Sequence, residues 1–370
     1  MDPAFIASFN NSNLAEELNS FNGLYEAKLW HQLTIKLEAF FAKSEFAEYF
    51  FPVYQVFIEK FYRQINPVSF AQFSIAVCRK SSAEQALTLL NQVCEQIKEH
   101  IPAFCLCKLE ACHFHLLAGN LQTVREDLES IEKELNQLPS IDPLVHSAFY
   151  RVKADYDKIT GAYNSYYKNA LLYLACIDHT SVPKEELTQR AHDLALSALI
   201  GDKIFNFGEL LTHPIFNCLD NTKFDWLKEI LHVFNSGDLA TFESRAGFYF
   251  GHPLLAKSAT SLQQKLRLMA LLVTISKRSG NDRLFEFSAI SSHTQVPVNE
   301  VEYLLMKAMS QKLIRGSIDQ VNGVVRIDWA MPRILDRVQI GHLIKGIDEW
   351  QSRAEETAQL ISSHAPEFVQ

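Results

Sequence analysis

The sequence predicts a mainly α chain: a TPR-like (tetratricopeptide-like) helical-repeat solenoid, then a winged-helix module, then a long C-terminal helix. Three observations carry this. Apolar residues recur at spacings of three and four through most of residues 14–245. Four helical runs in that region end in glycine, at Gly119, Gly161, Gly201 and Gly237, spaced by 42, 40 and 36 residues. Residues 282–332, DRLFEFSAISSHTQVPVNEVEYLLMKAMSQKLIRGSIDQVNGVVRIDWAMP, read as strand, helix, turn, helix and β-hairpin with almost no slack.

Taken in order, LYEAKLWHQLTIKLEAFF (24–41) places Leu29, Leu33 and Leu37 on one helical face. AEQALTLLNQVCEQIKEH (83–100) does the same with Ala86, Leu90, Val93 and Ile97. Helix breakers mark the connections: Asn66-Pro67, Ile101-Pro102, Pro139 with Pro143, and Pro183. At each of the four glycines a left-handed residue is expected to end a helix and turn the chain back antiparallel. A period near 40 residues fits stacked two-helix hairpins, each burying its apolar face on the next. Residues 246–261 form a less periodic bridge. LQQKLRLMALLVTISKRS (262–279) is the first helix of the winged helix. The expected division is therefore 1–245 solenoid, 246–332 bridge and winged helix, and 333–370 C-terminal helix.

Within the winged helix, Leu284, Phe285 and Phe287 form the strand and Ser288 can cap the next helix. Pro297 begins the turn before helix 298–313, which buries Val301, Leu305 and Ala308 with Leu304, Met309 and Leu313 beside them. Asn322-Gly323 suits a two-residue type I′ turn. Val325, Ile327 and Trp329 alternate with Arg326 and Asp328, giving one buried face and one wet face.

A winged helix suggests DNA, but the charges argue otherwise. Glu300 and Glu302 sit in the first turn of the would-be recognition helix, where they complement the helix dipole and repel phosphate. The wing sets Asp319 and Asp328 against Arg315 and Arg326, and the chain carries a net charge of −8. A docking module is the better reading, because a short sheet offers an edge for strand addition. In the last segment Ile340, Leu343, Ile347, Trp350, Ala354 and Ile361 make a heptad-like seam with Thr357 as a polar break. Such a seam either folds back on its own domain or joins partner helices. Gly341 and Gly346 weaken the isolated helix and favour partners.

Low glycine (13) and proline (12) with 48% hydrophobic residues suit helices. The start, MDPAFIASFNNSN, has no signal-peptide pattern, and no run of apolar residues is long enough to span a membrane. Seven cysteines, Cys78, Cys94, Cys105, Cys107, Cys112, Cys176 and Cys218, lie mostly in apolar helical patterns and read as buried reduced thiols. His113 and His115, with Thr123 and Glu126, are a near miss to a metalloprotease-type deubiquitinase signature. Residues two apart on a helix diverge by about 200° and cannot share a metal. Cys105, Cys107 and Cys112 with His113 also suggest zinc, but the C-x-C spacing diverges in the same way and no C-x-x-C pair exists. No nucleotide-binding loop, zinc-protease motif or nucleophile elbow is present, so no enzyme, cofactor or metal is expected.

Helical repeats running into a winged helix resemble the PCI domain, a scaffold module of the proteasome lid, the signalosome and a translation initiation factor. LYEAKLWHQLT (24–34), SYYKNALLYLACID (165–178), FNFGELLTHPI (205–215), FNSGDL (234–239) and NEVEYLLMKAMSQKLIRGSIDQVNGVVRIDWAMPRILD (299–336) resemble the PCI subunits of the 26S proteasome regulatory-particle lid. The resemblance implies a non-catalytic structural subunit supporting lid assembly and ubiquitin-dependent degradation, in cytoplasm and nucleus. It implies lateral contacts between winged-helix sheets, here through Ile314, Arg315, Ser317, Ile318, Val325, Ile327 and Trp329. It implies a C-terminal helix bundle, here through Ile340, Leu343, Ile347 and Trp350. The expected partners are other lid subunits, both PCI neighbours and the deubiquitinase pair, with the solenoid extending toward the ubiquitin receptor. The alternatives are a PCI subunit of another scaffold complex and a nucleic-acid-binding regulator.

Overall fold

A computed structural model describes residues 12–43, 46, 49–138, 142–177, 182–220, 222–277, 283–334 and 337–364. Pro139, the end of the 262–279 run, Asp282, Asp336 and the C-terminal residues from 365 lie outside the described residues. The chain divides into two compact units, 1–181 and 182–370.

In the first unit, α1 (Ser12–Glu26), α2 (Trp30–Ala42), α3 (Phe50–Val56), α4 (Pro67–Cys78), α5 (Ala83–Gln96), α6 (Ile101–Leu117), α7 (Leu121–Gln137), α8 (Pro143–Thr160) and α9 (Tyr163–Cys176) follow in order. Helix α4 packs on α6 and α6 on α8, while each also packs on its sequence neighbours. This pattern fits stacked hairpins: α4, α6 and α8 each touch a sequence neighbour and a counterpart in an adjoining repeat. The starts follow local chemistry. Asn66 accepts from the Val68 amide at 3.0 Å and Asp142 from Leu144 at 3.1 Å, each just before a proline at the first helical position.

Phenylalanine fills the beginning of this unit. Phe21, Phe40, Phe57, Phe61, Phe70 and Phe73 are fully buried, and Phe21 meets Phe40 edge-on at 5.7 Å. One buried polar pair joins α8 to α9. Asn169 donates to Asp157 at 2.7 Å, and burial raises the Asp157 carboxyl above its ordinary value.

The helix expected over 24–41 is two helices. Lys28 adopts a left-handed conformation (φ 55°), and the Leu29 amide reaches back to the Leu24 carbonyl at 3.0 Å. That closes α1 as glycine usually does. Leu33 and Leu37 are buried as expected, but Leu29, at the break, is 44% exposed. Gly119, Gly161 and Gly237 are left-handed helix ends (φ 83°, 74° and 70°).

The second unit contains α10 (Lys184–Ile200), α11 (Phe207–Thr212), α12 (Trp226–Ser236), α13 (Leu239–Tyr249), α14 (Pro253–Lys257) and α15 (Ala259–Lys277). The winged helix follows as β1 (Leu284–Glu286), α16 (Phe287–Thr294), α17 (Val298–Ser310), β2 (Ile314–Asp319) and β3 (Val324–Ala330), and then α18 (Arg337–His364). The 246–261 bridge is largely helical, shared between α13, α14 and the start of α15.

Gly201 departs from its expected role. Its backbone is extended (φ −63°, ψ 126°), because a side chain rather than a left-handed turn finishes α10. Lys265 of α15 is 4% exposed and sends its ammonium to the carbonyls of Ala198 (2.7 Å), Leu199 (3.2 Å) and Gly201 (2.5 Å). The Phe205 and Phe207 rings lie 5.5 and 5.1 Å from Nζ. One lysine thus satisfies the C-terminal carbonyls of the last long repeat helix from the first helix of the winged helix. Nearby, a Cβ at Gly237 would lie 2.8 Å from the Ala270 Cα, so α12 ends directly against the α15 backbone.

Candidate partner-docking surfaces

The three-stranded antiparallel sheet has the order β1-β3-β2, so β2 is a free edge and β3 is central. Ile314, Val325 and Ile327 point into the winged-helix core and are buried. Of the seven predicted sheet residues, these three hold the strands in place, while Arg315, Ser317, Ile318 and Trp329 carry accessible surface.

Trp329 lies on the face opposite to the one expected. Arg315 pairs with Trp329 and Gly316 with Ile327, leaving Asp328 as an extra residue in β3. This bulge reverses the alternation after Ile327. Trp329 is consequently 41% exposed, with the Arg315 guanidinium 5.0 Å from its ring centre. Arg326 and Asp328 pair at 3.3 Å on the exposed side.

The bulge also explains Gly316. A Cβ there would run into the Arg326 carbonyl. Gly316→Ala is expected to lower stability by about 2 kcal/mol through overpacking against backbone. A urea melt would check it, and an unchanged midpoint would contradict the close approach.

The hairpin loop is longer than the sequence suggests. Pairing ends at Asp319 and Val324, so four residues form the loop, and only Gly323 within it is left-handed (φ 64°). A type I′ turn needs both central residues there. Asp319 takes over the work instead: it accepts from the Asn322 amide at 3.1 Å and side chain at 2.7 Å, which lowers its carboxyl below the ordinary value. Phe287 begins α16 rather than extending β1, and Ser288, inside the helix, donates to Glu286 at 3.0 Å instead of capping.

Helix α17 buries Val301, Leu305 and Ala308, as expected. It ends at Ser310 with Lys312 left-handed (φ 60°), three residues short of the predicted end. Its outer face exposes Val298, Glu300, Tyr303 and Met306. An acidic and apolar face of this kind suits protein contact better than phosphate. Tyr303 and Met306 were not among the predicted site residues. Their signal was two large apolar residues three apart on the side facing away from the buried stripe.

The third surface is α18. Its 28 residues extend about 42 Å at helical rise. Ile340, Leu343, Ile347 and Trp350 are all exposed, Trp350 by 72%, and Ile344 widens the stripe. The chain reaches this helix through a firm anchor. Arg333 donates to both the backbone carbonyl and the side-chain oxygen of Asn235, and Ile334 rests on Gly208.

The His and Cys residues considered for metal chemistry sit on one helix, with Thr123 and Glu126 on the next, α7. His113 and His115 both belong to α6, as do Cys105, Cys107 and Cys112. Burial lowers the His113 pKa and pushes the Cys78, Cys105 and Cys112 thiols up to about 12. Thiols in that state are poor nucleophiles and poor ligands. Among the described residues no cluster of His, Cys, Asp or Glu is arranged to hold a metal, and no helix is long and apolar enough to cross a membrane.

Comparison with known proteins agrees with this layout. The profile of PSD13 N-terminal repeats matches residues 17–231, and that of the PCI domain matches residues 245–329. The chain is 35% identical to the Arabidopsis thaliana 26S proteasome non-ATPase regulatory subunit 13 homolog B, over 96% of this chain and 95% of that protein. It is 36% identical to the probable 26S proteasome regulatory subunit rpn9 of Schizosaccharomyces pombe, over 91% of this chain and 89% of that protein. By contrast, COP9 signalosome complex subunit 7 of Dictyostelium discoideum is 25% identical over 45% of this chain and 60% of that protein. A full-length match to one group and a partial match to the other decide between them: the chain belongs to the family of 26S proteasome non-ATPase regulatory subunit 13.

Proposed function

We propose that this chain is a non-catalytic structural subunit of the proteasome lid, acting in lid assembly and so in ubiquitin-dependent degradation in cytoplasm and nucleus. The observation that carries the reading is α18, a long helix whose apolar stripe is left in water. A stripe of that size costs solubility unless other helices cover it. The working division is residues 1–245 as the outward-reaching solenoid, 246–332 as the lateral docking module and 333–370 as the bundling helix. Arg315, Ser317, Ile318 and Trp329 are the side chains for the lateral contact with a PCI neighbour, and the β2 edge supplies backbone for strand addition. Ile340, Leu343, Ile347 and Trp350 are the bundle contacts. The solenoid is the part that reaches toward the deubiquitinase pair and the ubiquitin receptor.

The test is truncation. Ending the chain before Arg333 would remove the anchor on Asn235 as well as the helix, so the informative end point is after Asp336. That protein is expected to melt within a few degrees of the full chain and to be absent from the lid band on native gels. Trp350→Ala with Ile347→Ala should weaken incorporation without changing the melt. Normal incorporation of the truncated chain would refute the bundling role.

A further inference from the structure

Helices of the first unit border a groove that lies outside the candidate docking surfaces described above. A half-open groove of about 320 Å³ runs across α4, α6 and α8, with α9 at one side. Its walls are mostly apolar, including Ile75, Ala148 and Leu144, which stays 38% exposed. Three charged side chains line it: Arg79, Glu110 and Arg151.

These three are unequally satisfied. Arg79 holds Glu110 in a two-pronged pair, Nε to Oε1 at 2.7 Å and Nη2 to Oε2 at 3.0 Å. Glu110 is buried, and its charge is matched by that contact. Arg151 differs: its Nε is buried and has no hydrogen-bond partner. A buried donor without an acceptor costs about 1–3 kcal/mol and needs a reason. His113 lies near both arginines but burial disfavours its charged form, so it adds no competing cation at neutral pH. Asp155, one turn along α8, does not line the groove. Two guanidinium groups and one carboxylate leave one net positive charge, set in an apolar trough.

We propose that this groove is a peptide site. It takes an extended segment of a partner protein carrying one Asp or Glu carboxylate, bound by Arg151, beside an aliphatic side chain lying on Ile75, Leu144 and Ala148. One carboxylate matches the single uncompensated charge. A doubly charged phosphate would meet Glu110, and a basic segment would meet Arg151. The volume admits two or three side chains, which suits a short linear segment and not a folded domain. The concave face of stacked helical hairpins is where repeat proteins present extended binding surfaces. The proposal stands whether or not the chain enters a lid.

The test uses the purified full chain, immobilised and panned against a pool of random nonapeptides capped at both ends. The selected peptides are expected to carry one acidic residue next to leucine, isoleucine or valine. Selection should vanish on Ala148→Trp, which fills the trough. For the strongest peptide, replacing its acidic residue by the corresponding amide should weaken binding about tenfold, and so should Arg151→Gln in the protein. Both variants should melt like the parent chain; if Ala148→Trp does not fold, Arg151→Gln alone carries the comparison. Three outcomes overturn the proposal: no peptide selected over background, equal binding by Arg151→Gln, or tighter binding of a phosphoserine or uncapped C-terminal counterpart than of the internal acidic peptide.

Discussion

Lys265→Met is expected to lower stability by about 3 kcal/mol, because it orphans up to three carbonyls at once. Methionine fits the volume of the lysine stem and removes a costly buried charge, which by itself would stabilise. Against that stand the carbonyls of Ala198, Leu199 and Gly201, which lose their shared donor inside the protein. Each stranded acceptor costs about 1–3 kcal/mol, so the loss wins. For a unit of this size the melting temperature should fall by roughly 6–12 °C.

The same lysine gives the substitution a pH signature. Burial pushes its pKa down from 10.5 to about 7, with Asp202 acting in the opposite direction. On α17, Lys307 faces the same small pocket and is engaged by Gln264. The unfolded lysine holds its proton up to about pH 10.5, so unfolding takes up a proton between about pH 7 and 10.5. Stability of the parent chain should therefore rise relative to Lys265→Met across that window and keep a constant offset below it. Chemical denaturation of both proteins from pH 6 to 10 reads the difference directly. A flat difference would mean that the three carbonyls hold the ammonium charged throughout.

Gly237→Ala should be of similar size, about 3 kcal/mol, from two sources. The left-handed backbone costs an L-residue roughly 1–2 kcal/mol. The new methyl group meets the Ala270 backbone, which cannot rotate away, and overpacking of this kind costs roughly 1–3 kcal/mol. Gly161→Ala supplies the comparison. It shares the left-handed φ, but its Cβ would enter open space, so only the first cost applies. Equal melts for the two variants would argue against the close approach of α12 to α15.

Periodic burial was legible in the sequence because each side chain reports it locally. Leu33, Leu90, Val93, Val301 and Leu305 all face inward as their spacing required. The left-handed ends at Gly119, Gly161 and Gly237 were legible for the same reason. What escaped was set by non-local partners. Gly201 looks like the other three glycines, but a lysine 64 residues away finishes its helix. Lys28 and Lys312 take positions that glycine usually fills, and composition gives no sign of it. The exposure of the candidate docking residues was legible in part. The heptad seam of α18 is exposed along its length, whereas three of the seven sheet residues turned out to be core, and Tyr303 and Met306 were overlooked. Alternation along β3 predicted a buried Trp329 because one inserted residue cannot be seen without its partner strand.

That insertion has a wider consequence. Asp328 shifts the phase of β3: residues before it read one way across the sheet, and residues after it read the other. Pairing Asp328 with Arg315 would close the bulge, restore strict alternation and turn the tryptophan inward opposite Ile314, while leaving the pairings from Gly316 to Asp319 intact. The outward character of this face therefore depends on a reading frame as much as on side-chain identity. A one-residue change in how β3 pairs with β2 would therefore hide or expose this tryptophan with no change in the fold beneath it.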